Sequence, residues 1–166
     1  LPALRNQLAD AGDALAVGDW VLAERNAFAE WWLVQRVPPA NQIARRLHDG
    51  RDKVTRAVIV ANVDTALLVM GLDHDFNPRR LERYLAFVRL AQVGAVVVLT
   101  KADLCADVAA REREVQAILP ADVACVAVTA TQPAAADALA PWLGAGLTLV
   151  LVGSSGAGKS TLTNTL

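Results

Sequence analysis

The apolar positions of this chain change their rhythm near residue 57. Before it they fall in short aromatic-rich patches, Trp20-Val21-Leu22-Ala23 and Trp31-Trp32-Leu33-Val34, separated by the polar turn Glu24-Arg25-Asn26. That is the pattern of a hairpin. After it come near-continuous apolar runs: Ala57 to Val60, Thr65 to Met70, Ala95 to Thr100, Val123 to Val128 and Leu147 to Val152. Short, valine-rich runs of this kind suit strands buried on both faces. Between them the period becomes helical. Pro78 to Ala91 places Leu81, Leu85 and Val88 on one face, with Arg80, Arg83 and Arg89 elsewhere, and is opened by proline. Val108 to Leu119 predicts a second helix, capped by Asp107 and stopped by Pro120, and Ala134 to Leu143 a short third. Strands alternating with helices predict an α/β domain with a parallel sheet over residues 57–166, preceded by a β segment and basic linker over residues 1–56.

The last apolar run leads into Gly153-Ser154-Ser155-Gly156-Ala157-Gly158-Lys159-Ser160, a complete GxxxxGK[ST] phosphate-binding loop, with Thr161 in the helix-competent segment that follows. Glycines are needed where a Cβ would block backbone N–H groups from converging on phosphate oxygens, and the helix start adds partial positive charge. Lys159 would reach the β- and γ-phosphates, and Ser160 would place its hydroxyl on a phosphate-bound Mg²⁺. Upstream, Thr100-Lys101-Ala102-Asp103 sits at the C-terminal end of the Ala95 run, the edge where open α/β sheets bind ligands. A carboxylate there can accept from the ring N–H and exocyclic amine of guanine, a donor pair that adenine lacks. The stem of Lys101 can lie along the base. Alone this tetrapeptide also fits an ordinary capped loop; beside a phosphate loop it reads as a guanine motif.

The order of these pieces, base motif, then Val128-Thr129-Ala130, then phosphate loop, resembles the circularly permuted GTPases of the RsgA (YjeQ/EngC) family. Ala61-Asn62-Val63-Asp64, Asn77-Pro78-Arg79-Arg80-Leu81-Glu82-Arg83-Tyr84-Leu85 and Gly18-Asp19-Trp20-Val21 carry the resemblance over most of the chain. It implies a partial OB-fold-like β-barrel before the GTPase domain and binding of GTP or GDP with Mg²⁺. It implies too a role in small-subunit ribosome maturation, with that subunit and its rRNA as partners. Thr129 and Ala130 would offer backbone N–H to the guanine oxygen. The family's base motif usually begins with Asn, and Thr100 in its place is expected to brace the loop more weakly, with guanine selectivity kept through Asp103.

The resemblance also implies barrel strands before Leu1, switch segments after Leu166 and a C-terminal module holding Zn²⁺, for which this sequence has no Cys/His cluster. On that reading the 166-residue chain binds nucleotide weakly or not at all and does not turn it over, and no water-activating residue can be named.

Charge adds a local feature to a balanced whole. With 16 basic and 17 acidic residues, general attraction to nucleic acid is not indicated. The stretch Arg36 to Arg56 nevertheless holds Arg36, Arg45, Arg46, Arg51, Lys53 and Arg56 against Asp49 and Asp52. It reads either as a solvated linker or as an edge that contacts rRNA phosphates. Trp31 and Trp32 either stack on bases or plug the barrel, and strand alternation predicts that one of the two is buried.

No apolar stretch approaches the roughly 18 residues of a membrane span, and Leu1-Pro2-Ala3-Leu4-Arg5-Asn6 lacks the pattern of a signal peptide, so a cytoplasmic protein is expected. Cys105 and Cys125 form no CxxC pair and have no ligand-like spacing to His48 or His74. Two rival classes stay open: a P-loop ATPase or kinase in which Thr100 to Asp103 is incidental, and an RNA-binding assembly module that ignores nucleotide.

Overall fold

The computed structural model describes residues 8, 14–48 and 54–166, which fall into two compact units, Leu1–Val63 and Asp64–Leu166. In the first, β1 (Val21–Arg25) and β2 (Trp31–Arg36) form an antiparallel hairpin with Val21 opposite Arg36 and Arg25 opposite Trp31. Asn26 makes the turn, its Oδ1 accepting from the N–H of Phe28 at 2.9 Å and of Glu30 at 3.0 Å. A second antiparallel pair joins β3 (Gln42–His48) to β4 (Val54–Ala61), with Gln42 opposite Ala61. These two antiparallel pairs are consistent with the OB-like β segment expected there. At its base Arg36 Nε lies 3.0 Å from a carboxylate oxygen of Asp19, and both side chains are buried.

Three expectations change here. The run Ala57 to Val60 belongs to β4 and pairs antiparallel with β3, so it is not a strand of the parallel sheet. Ile59 is exposed and Val60 buried, so the strand hides one face only, which its uniformly apolar composition conceals. Gln42–His48, within the stretch read as a linker, is a strand: Ile43 is buried while Arg45, two positions on and past a register shift between Ile43 and Ala44, is exposed, so no clean period of two marks the strand among its arginines. Trp31 and Trp32 are both exposed, at 65% and 47%, so neither plugs a core. Arg25 lies over the Trp31 ring at 5.5 Å. Leu1 to Asn6, Asp49, Arg51, Asp52, Lys53 and the side chains of Arg46 and Arg56 lie outside the described residues.

The second unit is a four-stranded parallel sheet, β5 (Thr65–Gly71), β6 (Gly94–Thr100), β7 (Ala124–Ala127) and β8 (Leu149–Val152), in the order β7-β6-β5-β8. Its helices are α1 (Pro78–Leu90), α2 (Val108–Gln116), α3 (Ala134–Leu139) and α4 (Lys159–Thr165). Asn77 caps α1, its side chain accepting from the Arg80 N–H, with Pro78 in the first turn where no donor is missed. Asp107 caps α2 in the same way through the Ala110 N–H at 2.8 Å. The α2 helix ends at Gln116, earlier than its sequence pattern, in turns that lead to Pro120. Likewise α3 ends at Leu139, and Ala140–Trp142, which contains Pro141, continues as a 3₁₀ turn.

Leu81, Leu85 and Val88 of α1 are buried, as the helical period requires. Leu67, Val69, Val96 and Val98 of the central strands pack with Leu139, Leu162, Ala130 and Ala157. The last two belong to loops at the C-terminal edge of the sheet, so the core reaches into those loops and holds them.

Truncating Leu67, fully buried in the central strand, to Ala should destabilise the chain by about 2–5 kcal/mol, whereas Leu90→Ala, 87% exposed, should cost under about 0.5 kcal/mol, as read from denaturant unfolding midpoints.

Candidate functional site

The phosphate-type loop leaves β8 at Val152 and enters α4 at Lys159. Gly153 runs so close to the neighbouring strand that a Cβ would stand 2.3 Å from the Val69 carbonyl oxygen. Gly158, at φ +90°, caps α4 in the left-handed region. Lys159 curls over the loop, its ammonium donating to the carbonyls of Gly153 at 3.0 Å and Ser154 at 2.6 Å. Ala157 is buried, while Ser155, Gly156, Ser160 and Thr161 are exposed. Ser155, Gly156, Gly158, Lys159, Ser160 and Thr161 line an open cleft of about 310 Å³ with Lys101 of the second loop.

That second loop follows β6. Thr100 is fully buried, and its hydroxyl donates to the Ala157 carbonyl at 2.6 Å. The bond ties the start of the Thr-Lys-x-Asp motif to the floor of the phosphate loop. Lys101 takes φ +60°, a left-handed conformation uncommon for a side-chain-bearing residue and held here by its surroundings. Asp103 is exposed on the 3₁₀ turn Ala102–Leu104. The Ala102 N–H donates to the Val128 carbonyl at 3.3 Å, and the Val128 N–H to the Leu99 carbonyl at 2.8 Å, joining this loop to the one bearing Thr129 and Ala130. The Thr165 hydroxyl of α4 donates to the Ala130 carbonyl at 2.6 Å. Three separate motifs are thus bonded to one another at one sheet edge. Asp103 stands outside the 310 Å³ cleft, and also outside a 230 Å³ hollow lined by Ala102, Thr129 and Gln132.

Two residues that sequence reasoning passed over join this network. Asp73 and Asp75 lie on the loop after β5. One carboxylate oxygen of Asp73 accepts from the Lys101 ammonium at 2.7 Å and the other from the Asp75 N–H at 3.1 Å. The hydrogen bond and charge of Lys101 hold the Asp73 carboxyl below the ordinary aspartate value. The Asp75 carboxylate sits 2.7 Å from the Ser154 hydroxyl and pairs with Arg80. Burial works against its ionisation, yet the hydrogen bonds from Ser154, the Gly71 N–H and Arg80 outweigh that and lower its pKa. The available signal was a pair of acids just past the C-terminal end of a buried strand.

Cys125 is not a nucleophile in waiting. Burial, with Glu112 nearby, pushes its thiol up to about 12.

The profile of the RsgA GTPase family matches residues 38–166. Curated relatives named small ribosomal subunit biogenesis GTPase RsgA include one from Xylella fastidiosa strain M23, 45% identical over 171 residues, covering all of this chain and 48% of the relative. Another, from Xanthomonas campestris pv. campestris strain B100, is 49% identical over 154 residues, covering 91% of this chain and 40% of the relative. The chain therefore spans about half the length of the curated relatives it matches. Among solved structures, YjeQ from Thermotoga maritima superposes with a TM-score of 0.74 at 22% identity over 98% of this chain and 54% of that one. YloQ, described as a circularly permuted GTPase, gives 0.60 at 28% identity over 89% of this chain and 48% of its own.

Replacing Thr100 by Val keeps its shape but strips the buried Ala157 carbonyl of its donor, and should cost about 1–3 kcal/mol in thermal or urea unfolding, while Thr100→Ser should cost much less. Because the folded-state pKa of Asp75 is depressed, its ionised form stabilises the fold above the ordinary value of 3.8, and that stability is lost as pH falls through the lower folded-state value. The stability advantage of the wild type over Asp75→Asn should accordingly be full above about pH 5 and shrink on acidification, as urea midpoints across the acid range will report.

Proposed function

The chain belongs to the RsgA GTPase family, and from that premise we propose that its second unit binds GTP and GDP and that the protein hydrolyses GTP as a factor in late maturation of the small ribosomal subunit. The observation that carries the reading is the Thr100 hydrogen bond to Ala157 at 2.6 Å. It joins a phosphate loop to a guanine-type loop, which is the arrangement one nucleotide needs in order to touch both.

In this reading the backbone N–H groups of Gly153 to Lys159 cradle the β-phosphate, and Lys159, already poised over the loop mouth, moves its ammonium onto the β- and γ-phosphate oxygens. Asp103 accepts from the guanine ring N–H and amine. Ala130, held from behind by Thr165, presents backbone N–H to the guanine oxygen with Thr129 beside it. Lys101 lays its stem against the base. Thr100 supplies the brace for which the family normally uses Asn.

Among the described residues no group of three His, Cys, Asp or Glu side chains could hold a metal. Ser160, exposed in the cleft with Lys159, offers a single hard oxygen. That suits a Mg²⁺ that arrives on the phosphates and keeps several waters, where it would neutralise phosphate charge.

The partners proposed are the small ribosomal subunit and its rRNA, in the cytoplasm. The relatives' names support the ribosomal partner, and the exposed Trp31 with Arg25 over its ring, a surface on which a base can stack, supports the rRNA. No helix among the described residues is long and apolar enough to cross a membrane.

Displacement of fluorescent GDP by GDP, GTP and ADP tests the reading, on this chain and on one extended to the length of its relatives. Guanine nucleotides should win, Asp103→Asn should cost about 10- to 100-fold in guanine preference, and Lys159→Ala should remove most phosphate affinity. Equal competition by ADP would sink the guanine assignment in favour of an ATPase. RNA binding that is salt-sensitive and indifferent to nucleotide would favour an assembly module instead.

A further inference from the structure

We propose that Asp75 is a positioning residue for the phosphate loop: through the Ser154 hydroxyl it anchors one foot of the arch Ser155-Gly156, whose backbone meets the β-phosphate, so that the arch is formed before a nucleotide arrives. This rests on the nucleotide-binding reading above and adds to it a residue outside the GxxxxGK[ST] motif.

Ser155 and Gly156 are exposed, line the 310 Å³ cleft and stand between two residues that are tied down. On one side the Ala157 side chain is buried and its carbonyl takes the Thr100 hydroxyl at 2.6 Å. On the other, Ser154 Oγ lies 2.7 Å from both carboxylate oxygens of Asp75. The arch's own closing bond, from the Ala157 N–H to the Ser154 carbonyl, is 3.4 Å long, beyond the ordinary range. Gly156, at φ +80°, has nothing within 4 Å of the place a Cβ would occupy. The arch therefore depends on its feet.

Asp75 is held in turn. Its side chain is 11% exposed, its Oδ1 is 2.5 Å from an Arg80 nitrogen, and Arg80 also donates to the Asp75 carbonyl. Arg80 lies in the first turn of α1, where Asn77 caps the helix through the Arg80 N–H. The guanidinium balances the carboxylate, so an acid beside a phosphate loop is not left as an uncompensated negative charge. Ser154 has a second anchor, its carbonyl, which accepts from the Lys159 ammonium at 2.6 Å. In the proposed complex that ammonium moves to the phosphates, and the Asp75 bond, made through the side chain, survives the move. Ser154 does not line the cleft, so its hydroxyl serves the loop and not the ligand.

GMP carries no β-phosphate. Loss of the anchor should therefore weaken GDP and spare GMP, whereas a lesion that merely loosened the fold would weaken both.

The test is competition of GDP and GMP against fluorescent GDP on the chain extended to the length of its relatives. Ser154→Ala, which leaves the pair of Asp75 and Arg80 intact, should lower the GDP-to-GMP affinity ratio about tenfold, the scale of ordering one loop residue. Asp75→Ala should lower it by the same amount, and the double variant no further. Should Asp75→Ala fail to fold, Ser154→Ala alone decides. An unchanged ratio in Ser154→Ala, equal losses of GDP and GMP, or additive losses in the double variant overturns the inference while the nucleotide reading stands. A wild type that binds GDP no better than GMP overturns the phosphate-loop reading and this inference with it.

Discussion

One hydrogen bond organises the nucleotide-type edge of this chain: the buried Thr100 hydroxyl donating to the Ala157 carbonyl. A loop of glycines and serines has little to hold it in place, since its own side chains bury almost nothing. Here its one buried side chain, Ala157, sits in the core cluster, and its carbonyl is taken by the end of the neighbouring strand. Leaving that carbonyl unpaired would cost more than an ordinary hydrogen bond gains, so the bond ties the two loops together. The Ala102 bond to Val128 and the Thr165 bond to Ala130 extend the same logic to the third loop.

Strain and charge are concentrated where that scaffold can hold them. Lys101 is held in a left-handed backbone conformation, and its ammonium is held by Asp73. Asp75 accepts from the Ser154 hydroxyl and pairs with Arg80, so the loop after β5 is tied both to the loop after β8 and to α1. The exposed rim of Ser155, Gly156, Ser160 and Thr161 is what remains for a ligand to touch. In the proposed reading, a firm floor with an open rim would let phosphate be met by groups already in place, which lowers the ordering cost of binding.

The first unit works differently. Its strands pair two by two, and large apolar side chains, Trp20, Leu22, Phe28, Trp31 and Trp32, are exposed. Its order comes from specific polar contacts: the Asp19 and Arg36 pair, the Asn26 turn, and Asn41, whose side chain makes bonds of 2.9 and 2.8 Å to both backbone groups of Val63. Asn62 reads as half of the Asn-Val-Asp signature, and its side chain serves this unit through the Gly18 carbonyl and the Ala40 N–H. Asp64 serves the other, accepting from the Thr148 N–H.

What the sequence by itself determined is what depends on contiguous residues. The strand, loop and helix around Gly153 to Lys159, the caps Asn77 and Asp107 and the helical face of Leu81, Leu85 and Val88 were all legible, because glycine placement, capping and a 3.6-residue period act within a few positions. Only the tertiary structure decided which apolar run joins which sheet. Ala57 to Val60 and Thr65 to Met70 look alike as strings, yet one pairs antiparallel and hides a single face while the other lies at the centre of a parallel sheet. Alternation could assign Trp31 and Trp32 to opposite faces of a strand but not say whether either face is covered, and both are exposed. The partners of Thr100, Asp73 and Asp75 were hidden for the same reason: each lies 28 to 79 residues away, and no local preference records a contact that exists only once the strands have been set side by side.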